Sequence, residues 1–203
     1  MDKSSIREKM RAQRHELTEA ELKQAGKDIS HALITSRKLN LLLSAWNIST
    51  YISTTYEIPT RYLIAEIWNA GRNVSVPVWD AVTSTYKLCA LLPRAKFVTG
   101  PFGVREPALR IPVQTWDMDA FIMPGLAFDM YGARLGFGAG FYDRILSEAR
   151  SSTRLIGICH DWQVVEDQPI PQEPHDIRVD WIVTDKRTIR CGAPPQQRSV
   201  GRA

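Results

Sequence analysis

Asp119-Ala-Phe-Ile-Met-Pro-Gly-Leu-Ala-Phe-Asp-Met-Tyr-Gly-Ala-Arg-Leu-Gly-Phe-Gly-Ala-Gly-Phe-Tyr-Asp-Arg-Ile145 is the stretch whose reading decides the fold. It opens with an apolar run of strand length, Ala120 to Met123, which Pro124-Gly125 stops. A glycine-dense loop follows, with Gly132, Gly136, Gly138 and Gly140. Phe141 to Ala149 then reads as a helix, with Phe141, Ile145 and Leu146 on one side. Strand, glycine loop and helix start, in that order, make a phosphate site. Loop N–H groups turn inward, and the helix end adds roughly half a positive charge. Arg134 and Arg144 flank the loop and can neutralise oxyanions. Asp143, in the first helical turn, is placed to hold Mg²⁺ beside phosphates. Glycine spacing alone leaves a turn-rich connection open, because the loop matches neither G-x-x-x-x-G-K-[ST] nor G-x-G-x-x-G.

Upstream, Trp46–Ile52 and Val74–Val78 read as strands on either side of a helix that starts near Pro59 and Thr60. Leu63, Ile64, Ile67 and Trp68 supply its apolar side, and Gly71 ends it. This is a βαβ unit, and open α/β sheets bind ligands beyond the C-terminal ends of their strands. The Thr54–Glu57 loop lies there, although Glu57 also suits a first-turn acid that favours the helix dipole. Tyr86–Leu92 reads as a hairpin partner on an edge, and Phe97–Pro107 as a Gly/Pro loop. Downstream, Arg154–Cys159 and Val179–Thr184 are strands, with His160-Asp161 and His175-Asp176 beside them. Two His-Asp pairs invite a metal-hydrolase reading, but no helical metal spacing accompanies them.

At the N-terminus, Ser5 to Glu8 reads as a capping box opening the first helix, with Ile6, Met10 and Leu17 as its apolar stripe. Lys3, Arg7, Arg11 and Arg14 share the opposite side of the rod. That row fits either a solvated face or an anionic partner. Thr18 to Glu21 is a second capping box, and its helix runs through Leu22, Ile29 and Leu33 to about Ser36.

The chain of 203 residues, 44% apolar and 24% charged, suits one α/β domain over residues 1–185. Its net charge of +4 is unevenly spread: residues 186–203 hold five Lys and Arg and no acid, so +4 less +5 leaves −1 for the rest. This Pro/Gln/Gly-containing segment reads as a disordered tail, either solvated or serving as a nucleic-acid arm. Cys89, Cys159 and Cys191 lack C-x-x-C spacing, which suits a reducing compartment and gives no metal signature. Asp2, Glu8, Glu16 and Glu19 argue against a transit peptide. The longest uncharged run, Leu39–Tyr56, is too polar to span a bilayer. A cytoplasmic protein without a membrane segment is expected.

Taken together, Pro124-Gly125, Ala127-Phe128-Asp129, Gly132, Arg134-Leu135-Gly136, Gly138, Gly140 and Phe141-Tyr142-Asp143-Arg144 resemble the signature of 5-formyltetrahydrofolate cyclo-ligases, also called methenyltetrahydrofolate synthetases. Other elements agree in order. Lys3-Ser-Ser-Ile-Arg7 resembles the family's K-x-x-L-R, Glu57-Ile-Pro-Thr60 its E-[VI]-x-T, and Thr99–Pro107 its G-x-x-G-[IV]-x-E-P. Pro171–Asp176 loosely matches the stretch before its final strand. Ile6 for Leu and Phe141-Tyr142 for Tyr-Tyr are mild departures.

The resemblance implies a three-layer α/β/α architecture with an open, mostly parallel, Rossmann-like sheet (NagB/RpiA/CoA-transferase-like). It implies ATP- and Mg²⁺-dependent closure of 5-formyltetrahydrofolate to 5,10-methenyltetrahydrofolate by a monomer, with polyglutamylated substrate also accommodated and neither nucleic acid nor membrane as partner. ATP would meet Lys3, Arg7, Arg134, Leu135, Gly136, Phe137, Gly138, Ala139, Gly140, Phe141 and Tyr142. Arg134 and Asp143 would be catalytic, and Asp143 and Asp176 would hold the metal, although Asp176 also suits a strand-entry turn. The folate would meet Ile52, Glu57, Phe102 and Tyr142, although Phe102 equally suits a loop anchor. Other readings stay open: a paralogue keeping the nucleotide loop but acting elsewhere, a non-catalytic phosphate-sensing module, and a nucleic-acid binder working through the tail.

Overall fold

The computed structural model describes residues 2–138 and 140–193, with the backbone but not the side chain of Phe102. Helix α1 (Lys3–His15) is capped by Asp2, whose carboxylate accepts the Ser5 N–H at 2.8 Å. The cap expected at Ser5 therefore lies three residues earlier, because an aspartate at that position satisfies the first free amides as well as a serine does. Helix α2 (Glu19–Thr35) opens with the expected capping box between Thr18 and Glu21. A single turn, α3 (Leu41–Ser44), leads into β1 (Asn47–Ser49), followed by α4 (Arg61–Asn69), β2 (Asn73–Asp80) and β3 (Thr85–Ala90). Then come β4 (Phe97–Thr99), β5 (Arg105–Pro107), β6 (Pro112–Val113), β7 (Ala120–Pro124), β8 (Ala127–Asp129) and β9 (Arg134–Leu135). Helix α5 (Phe141–Leu146), β10 (Arg154–Cys159), β11 (Val164–Val165), β12 (Trp181–Thr184) and β13 (Thr188–Arg190) complete the fold.

The central sheet runs β13-β12-β10-β7-β1-β2-β3-β6. Its five middle strands, β12 to β2, are parallel, and antiparallel strands finish both edges. Parallel strands are covered on both faces, which is why β7 reads as an unbroken apolar run whose Ala120, Phe121, Ile122 and Met123 are all buried. Helices α2 and α4 pack Ile29, Leu33, Leu63 and Ile67 onto Ile48, Ile122 and Ile156 on one face. On the other, Phe128 of β8 and Ile145 and Leu146 of α5 pack onto Phe121, Met123 and Ile182. A third cluster docks α1, through Ile6 and Met10, on Leu126, Ala133 and Leu135. The three layers follow from these two covered faces.

From β1 the chain steps to β2 on one side and later returns as β7 on the other. The switch point is the β1–β7 pair, with Ile48 opposite Ala120 and Ser49 opposite Phe121. Ligands of open α/β sheets lodge beyond the C-terminal ends of such a pair. The Thr54–Glu57 loop follows the end of β1, whereas the strand expected to run straight into the glycine loop, β7, is separated from it by the antiparallel β8–β9 pair.

Several local expectations are corrected. Strand β1 is shorter than Trp46–Ile52, because the Trp46 and Asn47 N–H groups bond the Asp119 carboxylate at 2.8 and 3.0 Å. Strand β3 is not the edge, since β6 pairs beyond it. The Phe97–Pro107 loop holds a two-stranded hairpin, β4–β5. Buried Glu106 pins that hairpin, accepting the Trp79 N–H at 2.9 Å and the Arg110 guanidinium at 2.5 Å. Helix α5 stops at Leu146 rather than Ala149, because the Glu148 and Ala149 N–H groups turn back three residues to Ile145 and Leu146. The tail expected from residue 186 begins with structure: β13 pairs with β12, Ile189 is buried, and the Gly192 N–H reaches the Met130 carbonyl at 3.0 Å. Residues 194–203 lie outside the described residues. No helix among the described residues is long and apolar enough to cross a membrane.

Candidate active site

The glycine loop between β9 and α5 needs backbone conformations that side chains disfavour. Gly138 has φ 107° and Gly140, capping α5, has φ 62°. Asp129 fixes the approach to the loop: fully buried, it accepts the N–H groups of Tyr131, Ala133 and Ile170 at 2.8–2.9 Å. Leu135 anchors the loop rather than facing it, with its side chain buried and its carbonyl accepting the Leu126 N–H at 2.7 Å.

Two of the α1 cations, Arg7 and Arg11, turn toward this loop. Arg7 Nε donates to the Gly136 carbonyl at 3.0 Å, and a Cβ added at Gly138 would lie 3.7 Å from Arg7 Nη2. Arg11 lies 5.7 Å from the Phe137 ring centroid, and Phe137 itself is exposed. Lys3 reaches the other rim, donating to Asp176 at 2.8 Å and to Glu173 at 3.3 Å. Burial works against the Lys3 ammonium, but these two carboxylates outweigh it and hold its pKa above the ordinary value. Burial likewise opposes the Asp176 carboxylate, and Lys3 with the Glu173 N–H brings its pKa below the ordinary value.

Asp143 closes the circle. Its Oδ1 accepts the N–H of Ile177, next to Asp176, at 3.1 Å, and its Oδ2 accepts from Arg134 Nη2 at 3.3 Å. Contacts thus run from Lys3 through Asp176, Ile177, Asp143 and Arg134 to Gly136, and back through Arg7 to α1. Two carboxylates lie on this ring, and no group of three His, Cys, Asp or Glu side chains gathers as a metal cage among the described residues. That donor set fits Mg²⁺, which binds through one or two carboxylates and completes its shell with water and phosphate oxygens.

The folate candidates lie at the next strand end. Glu57 is buried, and its Oε2 accepts from the N–H and hydroxyl of Thr54 at 2.9 and 3.0 Å. Tyr142 joins the two regions. The Arg134 guanidinium carbon lies 5.1 Å from its ring centroid, and its phenol is pushed well above the usual range by burial and by Glu57. Phe141 turns away, edge-on to Tyr86 at 4.6 Å and to Trp79 at 6.3 Å. Arg144 lies 5.3 Å over the Phe141 ring. Ile52 packs against the main core. The turn Pro101–Gly103 carries Phe102, whose side chain, like Ala139 as a whole, lies outside the described residues.

A sequence model of the 5-formyltetrahydrofolate cyclo-ligase family matches residues 1–185. The chain belongs to that family. It is similar to the 5-formyltetrahydrofolate cyclo-ligase of Escherichia coli K12, with 31% identity over 182 residues that cover 88% of this chain and 97% of that protein. The cyclo-ligase of Haemophilus influenzae is 34% identical over 173 residues, covering 82% and 90%. The NMR structure of Aquifex aeolicus 5,10-methenyltetrahydrofolate synthetase superposes with a TM-score of 0.80 at 27% identity, covering all of both chains. The synthetase of Mycoplasma pneumoniae shares the fold, with a TM-score of 0.71 at 20% identity over 91% of this chain and 99% of that one. Membership in the cyclo-ligase family makes this chain an enzyme, a ligase of folate metabolism.

Buried polar groups around the cyclo-ligase site are what sequence reading missed. Arg14, Gln163 and Glu106 are buried partners of segments far away in sequence, whereas Tyr51 holds the Ile58 carbonyl close by in the chain. The available signal was placement. Tyr51 follows a strand end, and Gln163 follows His160-Asp161 at another, where a polar residue entering the interior has a loop to hold.

Proposed function

We propose that the chain closes 5-formyltetrahydrofolate to 5,10-methenyltetrahydrofolate, consuming ATP and releasing ADP and phosphate. The observation that carries this reading is the reach of Arg7 from the first helix to the Gly136 carbonyl, which brings a cation of α1 against the glycine loop. Around that loop, amides and cations make a seat for a triphosphate, with the folate at the neighbouring strand end by Glu57.

The formyl carbon of the substrate is a poor electrophile, and its oxygen is a poor leaving group. Transfer of the γ-phosphoryl group to that oxygen makes it a leaving group. N10 then attacks the carbon, the C–O bond breaks, phosphate departs, and the N10 proton passes to solvent. Phosphoryl transfer asks for positioning and charge neutralisation more than for a protein nucleophile. Lys3, Arg7 and Arg134 would neutralise phosphate oxygens, and the loop amides would orient them. Asp143 and Asp176 would hold Mg²⁺, whose contribution is to screen charge on the phosphates. Lys3 would then exchange its carboxylate partners for phosphate. Glu57 would accept from the adjacent N–H donors of the pterin ring, and Tyr142 would line the passage between the two substrates.

The test is the absorbance of the methenyl product. Full conversion is expected with 5-formyltetrahydrofolate, ATP and Mg²⁺ together, and none when ATP or Mg²⁺ is withheld. Product formed without ATP would overturn the phosphorylation scheme.

A further inference from the structure

At the N-terminal ends of the parallel strands, away from the nucleotide seat, the starts of β10 and β12 and the end of β13 surround a cavity of about 490 Å³. That volume suits a small metabolite. Three arginines from three segments line it: Arg154 opens β10, Arg178 precedes β12, and Arg190 ends β13, opposite Trp181. None of the three forms an ion pair among the described residues. Their partners are neutral. Arg154 donates to the Leu39 carbonyl and the Ser44 hydroxyl, and Arg178 Nη1 donates to the Tyr131 carbonyl at 3.1 Å. The Arg190 guanidinium carbon lies 5.8 Å from the Trp181 ring centroid. A guanidinium carries more N–H donors than these contacts use, so Arg178 and Arg190 keep most of theirs for another acceptor. Asp180 is the single acid among the lining residues, and its Oδ2 already accepts the Leu155 N–H at 2.8 Å. Three guanidiniums against one carboxylate leave the cavity positive, and a concave wall concentrates such a field.

We infer that this cavity is a second anion site, which takes a small multivalent oxyanion, a phosphate ester or a polycarboxylate, on Arg178 and Arg190, with Arg154 adding charge. Guanidinium forks match the paired oxygens of both groups. The exposed hydroxyls of Ser151 and Ser152 supply further donors at the rim. No lining residue belongs to the glycine loop or to α1, so the site is distinct from the nucleotide seat. The two nevertheless share one segment of chain. Arg178 directly follows Asp176, which holds Lys3, and Ile177, whose N–H holds Asp143.

The experiment uses Cys191, which lines the same cavity and is partly exposed, whereas Cys89 and Cys159 are buried. A neutral thiol reagent therefore reads occupancy of this site. The full chain is treated with N-ethylmaleimide in the presence of pyrophosphate, citrate or, at matched ionic strength, potassium chloride, and the rate of Cys191 modification is followed by mass spectrometry. Pyrophosphate or citrate is expected to slow modification saturably, by about fivefold or more, while chloride leaves the rate within about twofold. Arg190→Gln, at an exposed position, and Arg178→Gln, which keeps a donor for Tyr131, are each expected to lose most of that protection. Arg7→Gln, in the nucleotide seat, is expected to keep it. Protection by pyrophosphate alone assigns the site to phosphate groups, and protection by citrate alone assigns it to carboxylates. No protection by either anion, equal slowing by chloride, or protection that survives both Arg178→Gln and Arg190→Gln overturns the inference. Protection lost only in Arg7→Gln overturns it too, because the effect then belongs to the nucleotide seat. Where Arg178→Gln does not fold, Arg190→Gln decides alone.

Discussion

Asp143 holds two structural bonds at once, to the Ile177 N–H and to Arg134. An alanine there would confound loss of the loop with loss of charge. Asp143→Asn keeps an acceptor for Ile177 and removes the anion. If the carboxylate serves Mg²⁺, this variant should fold as the parent does, need more Mg²⁺ for half-maximal rate, and lose about a hundredfold in turnover. Normal turnover at limiting Mg²⁺ would take Asp143 out of the metal site. At this scale the chain's own text was informative where chemistry is written locally. The glycines at 138 and 140 and the cations Lys3, Arg7 and Arg11 could be read before any fold was known, whereas Arg14, expected on the side opposite Ile6 and Met10, is buried with them. The partner of Arg14, a carbonyl 111 residues away, leaves no periodic trace, so its burial could not be read.

Among the elements, α1 has little reason to be helical alone. Its apolar content is a narrow stripe, and isolated helices of this length are marginal in water. Docking supplies what propensity lacks: Ile6 is 2% exposed against Leu126, Ala133 and Leu135. Ile6→Ala should cost about 2–5 kcal/mol of stability and raise the ATP KM, because it loosens the turn that carries Lys3 and Arg7. Urea unfolding and nucleotide titration of the same variant decide the matter. Lost stability with an unchanged ATP KM would separate the helix from the nucleotide. Long apolar strands and well-capped helices were legible, as β7, β10 and α2 demonstrate. The short pieces were not. Strand β13 has one inward residue, Ile189, between Thr188 and Arg190, and its basic neighbours read as a tail. The hairpin β4–β5 depends on Glu106, a charged residue that composition alone would place in solvent.

The whole molecule carries a pH dependence that one buried histidine should dominate near neutrality. His160 directly follows β10, and its Nε2 is buried without a hydrogen-bond partner among the described residues. Its ring stacks on Trp162 at 5.8 Å, and its Nδ1 lies 4.0 Å from Asp185. Burial holds its pKa below the ordinary value of 6.5; Asp185 and Glu21 pull it upward, and Arg14 pushes it down. The folded chain therefore keeps this ring neutral at a pH where the unfolded chain protonates it. Its stabilising contribution is complete above about pH 6.5 and is lost as pH falls from there toward the lower folded value, by up to about 1.4 kcal/mol per pH unit. Asp119, Asp161 and Asp176 act in a separate window, because their pKa values lie below the ordinary 3.8. Their contribution is complete above the unfolded value and is lost as pH falls through the folded ones. Stability measured by urea unfolding should then decline as pH falls below about 6.5, level off, and decline again in stronger acid. His160→Gln should abolish the first decline and leave the second. Persistence of the first decline in that variant would move its origin to another group.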